Sequence, residues 1–504
     1  MSKKKTAITP TRNEDYAAWY QQVVKFADLA ENSPVRGCMV IKPWGYSLWE
    51  NVQDILNKKI KQTGHKNAYF PLFVPLSYLE KEAKHVEGFA KECAIVTHYR
   101  LEKKDDKLIP SPDAKLEEPL IVRPTSETII GQMFSKWIES YRDLPLLINQ
   151  WANIVRWEMR TRVFLRTTEF LWQEGHTAHK TKNEAEEEVF KMLNIYKEFL
   201  ENYLAIPCIS GKKTETEKFP GAKDTYSLEA MMQDRKALQA CTSHDLGQNF
   251  SKASNIKFLD ENGNLQFAWT TSWGITTRII GALVMVHSDD DGLIIPPKIA
   301  PCEIAIVPVI HNEEVKKKVL EICEKLKEEL QQIRYFEKEL TVEIDNRDIR
   351  GGEKKWSWIK KGIPLIVEIG PKDIEKASLT ILRRDTMEKS ILPMKEFLSS
   401  VQEILDDIQN KMFEKATRFK ETHSKYIDKK DEFYKFFTPK NKDKPEIYGG
   451  FATTYFCLDT LEEEKIKESL QVSVRCILKE ENEEKPCIFC HKKTKTRVVF
   501  AKAY

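Results

Sequence analysis

Apolar residues recur every three or four positions in several segments, and each predicts a helix with one buried stripe. Trp19, Val23, Phe26 and Ala27 mark one between Tyr16 and Leu29. Leu48, Val52, Ile55, Leu56 and Ile60 mark a longer one that starts near Trp44 and stops at Gly64. Residues 184–204 carry a third stripe opposite an acidic face, and Thr276 to Val286 a fourth. A fifth (Phe397, Leu398, Val401, Ile404, Leu405, Ile408, Met412) opens a charged helical region reaching Phe437. Residues 1–15 are basic and polar, and are expected to pack loosely.

Strand patterns lie between these helices. Ala68 to Val74 reads as a strand bracketed by Pro71 and Pro75. Proline donates no ladder hydrogen bond, so this strand belongs at a sheet edge or against another chain, a peripheral strand of a monomer fitting equally well. Lys103 to Glu118 reads as a charged loop. Phe267 to Trp273 reads as a strand broken by Gly274. After Leu293-Ile294-Ile295-Pro296-Pro297, strands near 304–309, 341–344, 365–369 and 378–383 alternate with helical stretches, the pattern of a compact α/β unit with a mixed sheet.

The most unusual pattern runs from Arg156 to His179, which predicts two strands joined by a short basic turn. Side chains alternate faces along a strand. Arg156 and Glu158 therefore project together from the first arm, and Phe170, Trp172, Glu174 and His176 share a face of the second. Cations, anions and aromatics are gathered on one surface. A solvated two-sided hairpin is the plainer alternative. Arg123-Pro124-Thr125-Ser126-Glu127 leads into an amphipathic helix, where Thr125 or Ser126 is either a helix cap or a functional hydroxyl. Residues 239–250 are too polar for a plain core strand. Arg278 falls in the first turn of its helix, where backbone N–H groups favour an anion.

Composition narrows the class. The 504 residues exceed a single core and imply two to four domains. No apolar run approaches the roughly 20 residues of a membrane span, and Met1-Ser2-Lys3-Lys4-Lys5 lacks a secretion signal, so a soluble cytoplasmic protein is expected. A net charge of +3 demands no nucleic acid overall. The cluster Arg347, Arg350, Lys354, Lys355, Trp356, Lys360, Arg383 and Arg384 could still meet phosphates and unpaired bases, or be solvated surface. The ten cysteines are mostly scattered, as in a reduced chain; Cys487 and Cys490 form the one close pair.

Three separated stretches, the Arg156 hairpin, residues 239–244 and Gly274 to Arg278, each offer groups for a phosphate or a small zwitterion. Their order resembles the motifs of class II aminoacyl-tRNA synthetases. The finer resemblance is to the prolyl-tRNA synthetase family of the eukaryote and archaeon type. It rests on Arg123-Pro124-Thr125-Ser126-Glu127, Arg156-Trp157-Glu158, Phe170-Leu171-Trp172-Gln173-Glu174-Gly175-His176, Thr242-Ser243-His244 with Gly247-Gln248-Asn249-Phe250, and Ser272-Trp273-Gly274-Ile275-Thr276-Thr277-Arg278. It continues through Lys361-Gly362-Ile363-Pro364 and Glu368-Ile369-Gly370-Pro371-Lys372-Asp373, nearly the whole chain.

The resemblance implies an α+β fold. Residues 1–298 would form a class II catalytic domain, an antiparallel sheet flanked by helices. Residues 299–400 would form an α/β anticodon-binding domain, and 401–504 a small α/β domain resembling the family's zinc-binding one. It implies a cytoplasmic homodimer with the helix and proline-ended strand of motif one at its interface, and partners L-proline, ATP and tRNA(Pro), with no DNA or membrane. Arg156 would bridge the proline carboxylate and the α-phosphate, and Arg278 would hold the γ-phosphate; these two are the expected catalytic residues. Glu158, Arg166, Thr167, Gln239, Thr242 and Thr276 are the other expected ATP contacts, with Mg²⁺ carried mainly on the phosphates. Thr125 and Glu127 would accept hydrogen bonds from proline, with Trp172, Phe89 and His244 as walls and Glu174 and His176 as support.

The chain departs from the family in four places. Thr168 stands where arginine is usual, the turn after Arg156 is a residue shorter, and the Lys103 to Glu118 segment is longer. The family's four-cysteine zinc set is represented by Cys457, Cys487 and Cys490, with Cys476 a replacement for the fourth; buried thiols are the alternative to Zn²⁺. A threonyl-type synthetase, recruiting Cys241, His176, His179 and His244 around zinc, is the nearest rival. A non-catalytic synthetase-like tRNA-binding or regulatory protein is the other, and such a protein would be expected to lose Arg156 and Arg278.

Overall fold

Pairing around the Arg156 stretch organises the first half of the chain. The computed structural model describes residues 6–83, 92–310, 312–441 and 447–504, the side chains of 81–83 excepted. Strands Leu146–Val155 and Glu169–His179 pair antiparallel from Val155↔Glu169 to Leu146↔Ala178. The second arm then pairs with Trp269–Thr276, which pairs in turn with Ala237–Gly247, followed by Asp224–Met231 and Cys208–Lys212. The result is a mostly antiparallel sheet. Helices Tyr16–Phe26, Pro43–Gln62, Lys182–Asn202 and Arg278–His287 cover one face, packing Trp49, Leu56, Tyr196, Phe199, Trp273 and Ile279 into one core.

Alternation sets the two faces. Glu174 and His176 point away from these helices, while the Gln173 amide, one residue before Glu174, meets the Tyr196 hydroxyl at 2.5 Å on the helix side. Gly175 is required because a Cβ there would lie 2.0 Å from the Trp273 ring. That ring closes the core directly behind the open face.

Several elements differ from the sequence reading. The connection after Val155 is no short turn: Arg156 to Thr168 lies outside both strands, so Arg156 and Glu158 do not project from the ladder. Instead the Arg156 N–H donates to the Thr168 carbonyl at 2.8 Å, and the Arg162 N–H to the Arg166 carbonyl at 2.6 Å, which hold a compact loop. The strand through Gly274 is unbroken, because Gly274 lies between Glu174 and Thr242, and a central strand satisfies a glycine's backbone groups on both sides. Ala68 to Val74 is not one strand: Lys66–Asn67, just before it, joins the large sheet, and Phe73–Pro75 at its end joins a three-stranded sheet with Lys115–Val122 and Ile95–His98. Pro71 falls between the two. The charged stretch after Lys103 is a hairpin, Leu101–Lys104 with Lys107–Pro110, turned by Asp105 and Asp106 at φ of 48° and 60°. Aspartate tolerates that conformation.

Residues 304–393 form a five-stranded mixed sheet ordered Val342–Ile344, Ile304–Pro308, Leu365–Ile369, Ser378–Arg383 and Lys389–Pro393, as the α/β pattern predicts. Its basic cluster is largely spoken for. Arg384 is fully buried and bonds Asp289 of the preceding unit, Lys354 donates to the Asp345 carbonyl, and Arg347 and Arg383 pair with Asp345 and Asp385. Arg384 therefore cannot reach RNA. The expected division at residue 400 falls inside one helix, Met394–Thr422.

The terminal strands Ser473–Ile477, Arg497–Ala501, Phe451–Tyr455 and Ser424–Tyr426 extend the large sheet to eleven strands through the pair Lys212↔Ile477, and Ala503 bridges Ala237 as well. A buried cluster secures that seam. Lys213 Nζ donates to Glu229 at 2.7 Å and to the Arg475 carbonyl at 2.7 Å, and the Arg475 guanidinium meets Glu229 at 3.0 Å. Among the described residues, no helix is long and apolar enough to cross a membrane.

Candidate active site

The uncovered sheet face floors a cavity of about 830 Å³. Three adjacent strands contribute in register. Trp172, Glu174 and His176 come from one arm, Ser272, Gly274 and Thr276 from its neighbour, and Gln239, Thr242 and His244 from the next. The loop after Val155 supplies Arg156, Glu158, Arg166 and Thr167, and the start of the Arg278–His287 helix supplies Arg278. Thr125 and Glu127 enter from the turn before the Glu127–Trp137 helix. Every site residue expected from sequence lines this one cavity except Phe89, which lies outside the described residues, and the cysteines.

One end is acidic and hydrogen-bonding. Glu174 accepts from Ser126 Oγ at 2.6 Å and Gln150 Nε2 at 2.7 Å, and meets His176 Nε2 at 2.8 Å. Ser126 is therefore a support for Glu174 rather than a helix cap. Burial opposes both charges of this pair, yet the mutual hydrogen bond and charge outweigh it: Glu174 is held below the usual carboxylate range and His176 above the usual imidazole range. The Thr125 hydroxyl donates to Glu127.

The other end is cationic. Arg156 Nε donates to the Pro124 carbonyl at 2.9 Å, and the guanidinium carbon stands 5.8 Å from the Phe170 ring and 5.7 Å from that of Trp172. It is accessible from the cavity but walled by protein, and this desolvation lowers its pKa, opposed by Glu127 and Glu174. Arg278 Nε donates to the Leu165 carbonyl at 3.2 Å. Burial and the like charges of Arg156 and Arg166 push Arg278 down to about 10. Among the described residues neither Arg156 nor Arg278 forms an ion pair with a carboxylate, whereas Arg166 holds Glu158 at 3.2 Å. Clustered cations without counter-ions are a site for a polyanion.

Sequence reading missed part of the wall. Phe219, on the loop carrying Glu217, Lys218 and Pro220, tilts against His244 with ring centroids 4.7 Å apart. Thr225, Ser272 and Glu92 also line the cavity. The Phe219-Pro220-Gly221 turn was the available signal. Among the described residues the Trp172 indole N–H, Ser272 Oγ and Thr167 Oγ1 are buried without a hydrogen-bond partner, and these cavity residues suit a polar ligand.

The comparisons with known proteins agree across the chain. Residues 99–287 match the tRNA synthetase class II core domain (G, H, P, S and T), 303–404 the anticodon binding domain, and 443–504 the C-terminal domain of prolyl-tRNA synthetase. A proline--tRNA ligase of Protochlamydia amoebophila is 58% identical, covering 100% of this chain and 99% of its relative. The chain belongs to the prolyl-tRNA synthetase family. A second relative, proline--tRNA ligase 2 of Anaeromyxobacter dehalogenans, is 57% identical over 99% of both chains. The crystal structure of prolyl-tRNA synthetase from Cryptosporidium parvum complexed with L-proline and AMP superposes with a TM-score of 0.87 at 38% identity, covering 99% of this chain and 97% of that one. The same enzyme complexed with halofuginone and AMPPNP gives 0.88 at 39%, covering 99% of both chains.

In this prolyl-tRNA synthetase chain the C-terminal unit carries the thiol cluster. Cys457, Cys487 and Cys490 bring their sulfurs within 4.8 Å of one another, Cys457 and Cys490 at 3.1 Å. Cys476 is not among them. It faces the large sheet, where a Cβ on Gly211 would lie 3.0 Å from its sulfur, so the expected four-cysteine set is three.

Proposed function

We propose that this chain attaches L-proline to tRNA(Pro) in an ATP-dependent reaction through prolyl-adenylate, at the cavity described above. The observation that carries this reading is Arg156, which shares one cavity with the Glu127 and Glu174 carboxylates and with the Arg278 and Arg166 cations. Proline is a small zwitterion. Its secondary ammonium suits the Thr125 and Glu127 oxygens, its ring suits the Trp172 and His244 walls, and its carboxylate suits the Arg156 guanidinium.

The carboxylate is ionised at neutral pH and needs no general base. Its oxygen attacks the α-phosphorus, the bond to the β-phosphate breaks, and pyrophosphate leaves. The chain contributes position and charge. Arg156 spans both reactants with a planar fork, and Arg278 holds the γ-phosphate. Glu158, Arg166, Thr167, Gln239, Thr242 and Thr276 line the nucleotide. In the second step the terminal ribose hydroxyl of tRNA(Pro) attacks the acyl carbon and AMP leaves, while the unit at 303–404 engages the anticodon.

Glu158, paired with Arg166 at the cationic end, would help hold Mg²⁺ together with the nucleotide's phosphate oxygens, a set this ion accepts; the ion would supply charge stabilisation for the departing pyrophosphate. Zn²⁺ would be held by Cys457, Cys487 and Cys490 and would stabilise the terminal unit rather than take part in the reaction. A homodimer would cover the exposed Tyr69, Phe73, Ile95 and Trp137 on and beside the three-stranded sheet. We assign the enzyme to the cytoplasm.

Two other readings fit less well. A threonyl-type zinc site would need free imidazoles in the cavity, but His244 is engaged at both nitrogens and His176 at Nε2. A non-catalytic paralogue has no use for the Arg156 and Arg278 pair. The test is exchange of labelled pyrophosphate into ATP. Proline alone should support it; exchange with threonine alone would establish the threonyl reading, and no exchange with any amino acid the non-catalytic one.

A further inference from the structure

His244 sits in a directed chain of hydrogen bonds. The Phe219 backbone N–H donates to Thr225 Oγ1 at 3.0 Å. Thr225 Oγ1 lies 2.9 Å from His244 Nδ1, and His244 Nε2 lies 3.0 Å from Thr242 Oγ1. Thr225 is 2% exposed and Thr242 is open to the cavity. Burial, reinforced by the charge of His176, pushes His244 down to about 3, so the ring is neutral at working pH. A neutral imidazole has one N–H and one bare nitrogen.

Only one arrangement leaves every proton an acceptor. The direction of the first bond is fixed, because a backbone amide can only donate. If His244 carried its proton on Nδ1, two donors would converge on Thr225, and that buried hydroxyl's own proton would have no other hydrogen-bond partner among the described residues, a costly state. Thr225 must instead donate to Nδ1. The imidazole proton is then on Nε2 and points at Thr242, whose oxygen accepts it. The Thr242 proton is thereby turned toward the cavity.

We propose that Thr225 is a positioning residue: by fixing the Nε2–H tautomer of His244 it makes Thr242 an obligate hydrogen-bond donor to an oxygen of the bound substrate, and the loop bearing Phe219 sets this polarity. A serine or threonine with freely rotating hydroxyl can accept from ligand N–H groups as well as donate. Thr242 so held always has its own proton available for an acceptor of the ligand, such as an oxygen of a ribose, phosphate or carboxylate. The identity of the acceptor rests on the adenylate reading above; the tautomer does not, since it is set by groups of the protein alone.

The test is the tautomer itself, read by nitrogen-detected NMR of the full-length protein labelled with ¹⁵N-histidine and without substrate, His244→Gln identifying the resonances. The expected result is a bare Nδ1 and a protonated Nε2. Thr225→Val keeps the shape but removes the donor; it should shift the proton toward Nδ1 and lower kcat/KM for exchange about 10-fold, the size of one lost hydrogen bond. Thr225→Ser should restore both. A wild-type Nδ1–H overturns the proposal whether or not the valine variant folds. So does a Thr225→Val enzyme with an unchanged tautomer, or with a changed tautomer and wild-type kcat/KM. If proline failed to support exchange, the function above would fall while the wild-type spectrum still judged the tautomer.

Discussion

Arg384 and Asp289 form a two-pronged ion pair, at 2.6 and 2.9 Å, that joins the mixed-sheet unit to the end of the Arg278–His287 helix. The arginine also donates Nε to the Ile359 carbonyl at 2.9 Å, so its guanidinium is fixed on both sides. Arg384→Ala would leave Asp289 facing a buried gap. The expected cost is roughly 3 kcal/mol, the low end for a broken buried pair because Asp289 retains 26% exposure. Chemical denaturation should show the loss, with tRNA affinity at low temperature unchanged for the folded fraction. A fall in affinity without a fall in stability would contradict this assignment.

Arg156 and Arg278 should separate by what replaces them. Arg156→Ala is expected to reduce proline-dependent exchange by at least about 10²–10³-fold, as for removal of a donor aimed at developing charge. Arg156→Lys should recover little, since an ammonium cannot span two reactants. Arg278→Lys keeps a point charge for a terminal phosphate and should mainly raise KM for ATP. Steady-state exchange kinetics with ATP and proline varied separately decide both.

The His176–Glu174 pair gives stability a defined pH dependence. His176 is raised in the folded state, so its contribution is complete below about pH 6.5 and fades as pH rises through the folded value. Glu174 is lowered, so its part is present above about pH 4.3 and is lost as pH falls through its own folded value. Replacing His176 with glutamine should therefore destabilise most near pH 6, and the gap in melting temperature from wild type should narrow toward pH 9. A gap that widened with pH would mean that the imidazole is neutral in the fold.

Gly37 bears directly on Thr168. The Thr168 N–H donates to the Gly37 carbonyl at 2.7 Å, and a Cβ on Gly37, whose φ is +81°, would stand 2.2 Å from Thr168 Oγ1. Thr168 is 3% exposed, so the small side chain fits beneath this turn where an arginine would not. Gly37→Ala and Thr168→Arg should each disturb the loop carrying Arg156, lowering kcat for exchange more than they lower the melting temperature. Wild-type kcat in both would show that the contact is dispensable.

Periodicity alone located the helices that build the core, since their stripes face one sheet. It misjudged places where backbone geometry overrides pattern. Gly274 reads as a breaker but is sustained by strands on both sides, and Arg156 to Thr168 reads as a turn but is a loop with its own hydrogen bonds. The cavity residues carried on short motifs were legible because their spacing of two along a strand puts them on one face. Phe219 and Thr225 were not: the Phe219-Pro220-Gly221 turn marks a loop, but local sequence does not say that this loop folds over His244. Arg384 looked like surface because charge in a sequence does not reveal its partner, and Asp289 lies far away along the chain.

The Lys212↔Ile477 pairing at the sheet seam also orders events during synthesis. Until residues 473–501 have emerged from the ribosome, the Cys208–Lys212 strand is an open edge, and Glu229 lacks the Arg475 half of its buried cluster. An unpaired edge is a template for pairing with another chain. The nascent enzyme thus carries an aggregation hazard in its catalytic unit, reduced when the last strands dock beside Lys212.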